Sequence, residues 1–274
     1  MTRLADYAAV RELTVNLTLR ELRGKYKRSL LGWTWSLLNP LSAALIFSLV
    51  FSFFLKIEPP VGDPSGLHNF AAFLLCGLLA WNFLSSAINE GMEALVGNGN
   101  LIKKVFFPRE VLVVATIAAL LVSFLIELAV LVGVLVVLGN MAIPWVPVLL
   151  LLVVIQTVFV LGIALVLSVL NVYFRDLRHL MSIVLQALFY SAPIVYPLRF
   201  VPEHATLLGV ELPLKFLYRL NPLVRLIGAY RDVLYNLRFP DVVDLAYVGA
   251  WAVGSIVVGL WVFGRLEGRL AEEV

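Results

Sequence analysis

Apolar residues run along this chain in six long stretches, at positions 36–55, 70–88, 111–138, 145–170, 180–198 and 242–263. Each approaches or exceeds the roughly 20 apolar residues that a helix needs to cross the hydrocarbon core of a bilayer. A helix is expected in each, because a lone segment in lipid must satisfy its own backbone hydrogen bonds. The third stretch is long enough to tilt or to protrude. The fifth is the weakest, interrupted by Gln186, Pro193 and Pro197, and a kink is expected at Pro193, which leaves a carbonyl one turn earlier without its donor. Residues 199–241 are too long for a simple turn and too apolar for a solvated loop. Phe216, Leu217, Leu220, Leu223, Leu226, Ile227, Tyr230 and Leu234 recur there at helical spacing, which predicts one or two short helices at the outer membrane surface or dipping into it.

Residues 10–30 carry two apolar stripes on nearly opposite sides, Val10, Leu13 and Leu17 against Leu19, Leu22, Tyr26 and Leu30. A break near Thr18 would reconcile them. With Arg20, Arg23, Lys25, Lys27 and Arg28 around it, the second stripe suits a helix lying on an anionic inner leaflet. A plain positive flank is the alternative. The pattern as a whole predicts an all-α integral membrane protein with one transmembrane domain over 1–274. Its parts are a cytoplasmic interfacial helix (1–33), spans one to five (34–198), an extracytoplasmic segment (199–241), and span six with a cytoplasmic tail (242–274).

Composition agrees. The chain is 61% hydrophobic and 14% charged over 274 residues, against about 25% charged in a soluble domain, and its mean hydropathy is +0.96. A soluble fold would have too few polar residues to coat such a core. The first thirty residues contain no early apolar run with a small-residue cleavage site, so no removable signal peptide is expected. The single cysteine, Cys76, can form no internal disulfide. The net charge of +3 and the pI of about 9.0 are read as topology signals rather than a nucleic-acid footprint, because the basic residues sit beside apolar runs. With a cytoplasmic N-terminus, fourteen of the twenty-one Lys and Arg fall inside; six of the other seven lie in the long 199–241 segment, where the positive-inside rule has little force. Both termini are therefore expected inside.

Two inner loops carry candidate chemistry. The first, GNGNLIKKVFFPRE at 97–110, allows a short helix over 101–105 that presents Leu101, Lys103 and Lys104 to a cytoplasmic partner; an ordinary connector is the alternative. Pro108 suits the entrance of the following helix. In the second loop, aromatic residues precede Arg175 and Asp176, which are expected to order a tight helix–helix turn. Interfacial aromatic anchoring explains this composition equally well. Glu127 is the one clearly intramembrane acid, a functional candidate by default because such groups are costly. His68, His179 and His204 are scattered with no metal spacing. In span five, Gln186, Phe189, Tyr190, Pro193, Tyr196 and Pro197 fall on one helical face, at spacings of three and four. Tyrosines there offer flat apolar faces with a hydroxyl, suited to sugar rings. An interfacial aromatic belt with a proline kink is the other reading.

Several motifs occur in order along nearly the whole chain. They are SLLGWTWSLLNP at 29–40 after the basic N-terminal helix, LIKKVFFPR at 101–109, YFRD at 173–176, YSAPIVY at 190–196, NP at 221–222 and YRD at 230–232. In this set the chain resembles the permease subunit of type-2 ABC exporters, in the branch that exports polysaccharides such as O-antigen and teichoic acid. The resemblance implies a six-helix half-transporter that pairs with a second copy of itself in the bacterial plasma membrane. It also implies a separate nucleotide-binding ATPase subunit, which binds the ATP and Mg, and a lipid-linked glycan as substrate. No cofactor and no nucleic acid is expected on this chain. Leu101, Lys103, Lys104, Arg175 and Asp176 then become candidates for coupling to the ATPase. Gln186, Phe189, Tyr190, Pro193 and Tyr196 become candidates for the substrate pathway, and Asn221, Pro222 and Tyr230 for an outer gate. Gly24-Lys25 is the only Gly-Lys pair, and Leu19 and Tyr26 stand where a P-loop needs glycine and a hydroxyl, so no ATPase is expected on this chain. An exporter of another amphiphile or drug remains an alternative. A secondary transporter would want intramembrane charge pairs or inverted repeats, and a lipid-sugar enzyme would want grouped acids or histidines.

Overall fold

The computed structural model describes residues 2–25, 32, 34–54, 56, 58–105, 107–207 and 210–270. Tyr26, Lys27, Arg28, Leu30, the opening of the SLLGWTW motif except Gly32, and Phe106 lie outside the described residues. The helices are α1 (Thr2–Lys25), α2 (Thr34–Ser48, continued as a π-helix over Leu49–Phe54), α3 (Phe70–Glu93), α4 (Gly99–Lys104), α5 (Glu110–Val137), α6 (Val146–Tyr173), α7 (Leu177–Ser191), α8 (Leu214–Leu220), α9 (Pro222–Arg231) and α10 (Val242–Leu266). A small antiparallel hairpin, β1 (Ala205–Leu207) with β2 (Val210–Leu212), lies between α7 and α8, where only short helices are expected from the residue pattern.

Local chemistry sets several boundaries. Asn69 caps α3 by accepting from the Ala72 amide at 3.0 Å, and Asp241 caps α10 by accepting from Val243 at 2.8 Å. Asn221 caps α9 while Pro222 fills its first position, where a missing N–H costs nothing. Helix α1 runs unbroken through Thr18, contrary to the expected break. The hydroxyls of Thr14 and Thr18 donate to carbonyls one turn back, at 2.7 and 2.8 Å, so neither competes with the helix from outside. Its first stripe (Val10, Leu13, Leu17) packs on the bundle, while Leu19 of the second is exposed.

Among the described residues, five helices are long and apolar enough to cross a membrane: 37–54, α3, α5, the stretch from Ile143 to Tyr173, and α10. The expected fifth span is different. Helix α7 has 15 residues and stops at Ser191, where Ala192 turns extended at ψ 142°. Proline at 193 drives the residue before it out of the helical region, so the helix ends before the proline rather than kinking at it.

Helix α3 is the axis of the bundle, with 78% of its most apolar stretch buried against 11% for α2 and 17% for α10. Leu41, Leu45, Ile46, Phe53 and Phe54 on α2 are exposed, a surface suited to lipid rather than water. Buried amides join α3 to α6 at two levels: Gln156 donates to the Ala80 carbonyl (2.7 Å) and Asn171 to that of Met92 (3.2 Å). Such bonds replace the hydrophobic drive that helices lack in lipid. Helices α6 and α10 touch backbone to backbone, since a Cβ on Gly162 would overlap the Ser255 and Ile256 main chain. Replacing Gly162 by Ala should therefore lower stability by about 1–3 kcal/mol through overpacking, read as a reduced melting temperature of the detergent-purified chain. Gly254→Ala, on the open side of α10, should leave it unchanged or slightly raised.

Candidate functional site

One end of the bundle gathers Lys103, Lys104, Arg109, Arg175 and Arg178. The expected short helix is present there as α4, which turns Ile102 into the core while Lys103, Lys104 and Val105 are exposed. Leu101 is half-buried against the core. Two contacts brace this region. The Asn98 amide donates to the Ala94 carbonyl at 2.9 Å and its oxygen accepts from Arg20 of α1 at 2.6 Å. Across the next gap, Arg178 of α7 pairs with Glu93 at the end of α3, at 3.1 Å. Tyr173 donates to the Leu266 carbonyl at 3.0 Å, and Arg109 donates to that of Glu267, so the end of α10 joins the same platform.

Arg175 and Asp176 do not hold the second loop by their side chains. Both are exposed and neither enters an ion pair among the described residues. The turn is made by backbone instead, with Leu177 N–H on the Phe174 carbonyl (3.1 Å) and Leu180 N–H on that of Asp176 (3.2 Å). The ion pair falls to Arg178, one helical turn farther on. Sequence reading missed it because its partner lies on another helix.

At the opposite end, the expected pathway face divides. Gln186 and Tyr190 are exposed on α7, Tyr190 at 66%, while Phe189 turns inward, edge-on to Trp81 at 5.6 Å. Pro193 and Tyr196 lie in the turn beyond the helix. There the Tyr196 hydroxyl donates to the Tyr190 carbonyl at 2.8 Å and lies 2.7 Å from the Tyr218 hydroxyl of α8. Asn221 and Pro222 form the α8–α9 junction. Tyr230, expected at the mouth, is fully buried against Phe124 (6.2 Å), and its hydroxyl finds no partner among the described residues. It anchors α9 rather than lining an opening.

Three successive residues of α9 and the turn after it thus point three ways. Tyr230 enters the core. Asp232 accepts from Asn236 (2.8 Å) and Arg238 (2.8 Å), closing the turn that follows. Arg231 is buried, 7% exposed. It donates to the carbonyls of Pro193 (2.5 Å), Ile194 (2.6 Å) and Phe73 (3.4 Å), and sits 3.7 Å above the Phe73 ring. As an arginine it carries its charge at neutral pH. The quoted YRD motif contained this residue, but only the fold shows its partners.

The acid Glu127 is not isolated. It lines a small crevice with Lys25, Asn82, Ser86 and Ser123, and Lys25 continues into a neighbouring crevice with Glu21 and Glu90. Between α6 and α10 lies an apolar groove of about 610 Å³ bordered by Phe159, Ile163, Trp251 and Val258. Among the described residues no three of His, Cys, Asp and Glu gather to hold a metal ion.

A bundle of apolar spans with a braced basic platform at one end and a broken, tyrosine-lined helix at the other defines a multi-pass helical membrane protein. Residues 12–235 match the family model described as ABC-2 type transporter, and the chain belongs to that family. Its relatives include the O-antigen export system permease proteins of Klebsiella pneumoniae, 30% identical over 95% of this chain and 94% of the relative, and of Myxococcus xanthus, 31% identical over 96% of each. A polysialic acid transport protein of Escherichia coli is 27% identical over 94% of this chain and 95% of the relative.

The Tyr196–Tyr218 pair gives a direct check of the turn after α7. Tyr218→Phe should cost about 0.5–1.5 kcal/mol and Tyr196→Phe more, since it also frees the Tyr190 carbonyl. The double variant should melt no lower than Tyr196→Phe alone, because both remove the same bond.

Proposed function

We propose that this chain is the transmembrane subunit of an ATP-driven exporter that moves a lipid-linked polysaccharide, of the O-antigen or polysialic acid kind, outward across a bacterial plasma membrane. The observation that carries the reading is kinship over nearly the full length of both chains with permeases named for O-antigen export. The geometry supports a division of labour. The platform around α4 is the cytoplasmic face, on which a separate ATPase subunit docks and supplies the energy of ATP hydrolysis. Both termini lie on that side. The α8–α9 segment covers the outer mouth, and Gln186 and Tyr190, exposed on α7, contact the glycan. A second copy of the chain completes the pathway by covering α7 and α2.

Helix α4 is suited to receive force because it is short, exposed and rigidly backed. Its Ile102 is rooted in the core, and Asn98 ties its base to α1. Motion imposed on Lys103 and Lys104 passes to the end of α3 and, through Glu93 and Arg178, to the start of α7. Lys103→Glu together with Lys104→Glu should abolish docking or uncouple hydrolysis from export. Co-purification with the ATPase, stimulated ATP hydrolysis and glycan at the cell surface are the three readouts. Normal export by the double variant would sink the assignment. Neither lysine packs into the core, so the variant should retain the melting temperature of the parent chain.

A further inference from the structure

A buried guanidinium is expensive unless its charge and donors are met, and no carboxylate pairs with Arg231 among the described residues. What meets it is backbone. Helix α7 stops at Ser191, and the carbonyls just beyond its end are left to find donors outside the helix. Ala192 and Ile194 are fully buried, so the protein must supply the donors in place of water. Arg231 does so with two nitrogens on adjacent carbonyls, those of Pro193 and Ile194, while its third contact and its ring partner belong to Phe73 of α3. The planar fork of arginine reaches two adjacent acceptors at once; a lysine is a point charge and does not. Room for the head group comes from Gly77, where a Cβ would lie 3.2 Å from the Arg231 Nη2.

We infer that Arg231 is a positioning residue of the exit: it joins the outer end of α7 to α9 and α3, so that the mouth opens by movement of these parts as one body and not by bending at Pro193. The inference rests on the export reading only in calling this end the exit.

The test uses the chain assembled with its ATPase in a Cys76→Ala background, with Val195→Cys as the single thiol. Val195 lies in the turn and is buried. With Arg231 present, position 195 should resist a water-soluble maleimide both at rest and with the ATPase trapped. Arg231→Lys keeps the charge but loses the fork, and labelling should rise about tenfold or more in both states, as expected for loss of charged hydrogen bonds. Export per assembled complex should fall while ATP hydrolysis persists. The inference is overturned if Arg231→Lys leaves labelling unchanged, or if position 195 labels as fast in the trapped parent complex as in the variant. It is also overturned if hydrolysis, export and assembled amount fall in parallel, the mark of a merely structural role. Should Arg231→Lys fail to assemble, Gly77→Ala crowds the same head group from α3 and must raise labelling; unchanged labelling there overturns it equally. Labelling needs no glycan, so it decides the matter even where the export reading fails.

Discussion

Within a hydrocarbon environment every carbonyl and amide must be met from inside the protein, and at the end of α7 that demand falls chiefly on Arg231, which meets two adjacent carbonyls. A helix of 15 residues reaches about 22 Å at 1.5 Å per residue, short of the roughly 30 Å core. Its end therefore cannot be left to water in the way an ordinary span's end is. Arg231 and the Tyr196–Tyr218 pair satisfy the turn from two sides, one from α9 and one from α8. Because Arg231 comes from α9 and Tyr218 from α8, the ordered turn after α7 depends on that later segment being in place. The three separate directions taken by Tyr230, Arg231 and Asp232 follow from this: a helix that must insert one residue into the core, aim the next at the turn and close its own end with the third has little freedom of register.

Helix α3 connects that arrangement to the opposite end. Near its start it presents Phe73 to Arg231, and at its finish Glu93 meets Arg178 on the first turn of α7. Helix α7 is thus tied to α3 at both extremities, by a buried clamp at one end and an exposed ion pair at the basic platform. The two ties differ in strength. An exposed pair contributes about 0–1 kcal/mol, whereas a buried fork leaves carbonyls unsatisfied if lost. The tie at the platform end of α7 is therefore the weaker of the two.

Much of this was legible in the residues. The lengths of the apolar runs gave the spans, α4 followed from LIKK after a glycine- and asparagine-rich break, and the helical spacing in 214–234 gave α8 and α9. The error at 180–198 has a definite source: the run stays apolar past Ser191, and hydropathy does not register that a residue before proline leaves the helical region. Arg231 was hidden because a lone arginine on an amphipathic stretch looks like a surface residue until its acceptors, 37 and 38 positions back, are brought beside it. Lys25 beside Glu127 was hidden for the same reason, as a meeting of helices far apart in sequence. Tyr230 was placed at the mouth because periodicity tells which face a residue shares but not whether that face looks inward.

Non-helical backbone at membrane depth is tolerated only where protein buries it or where it borders water. The turn after α7 meets the first condition, with residues 192–195 and 197 buried. The exposed side of α7 raises a separate demand, one of side chains rather than of backbone. Gln186 and Tyr190 are exposed there, next to Ile183 and Leu180, which are exposed as well. A glutamine facing lipid would lose its hydrogen bonds, at a cost of several kcal/mol, so this face calls for a wall that is part polar and part apolar. In the proposed pairing of two copies a second α7 would offer such a surface, and a water-filled path between them would wet Gln186 and the tyrosine hydroxyls while the aliphatic residues meet each other. The shortness of α7 and its mixed face are then one feature: a helix that stops within the membrane suits the edge of a pathway better than the wall of a bundle.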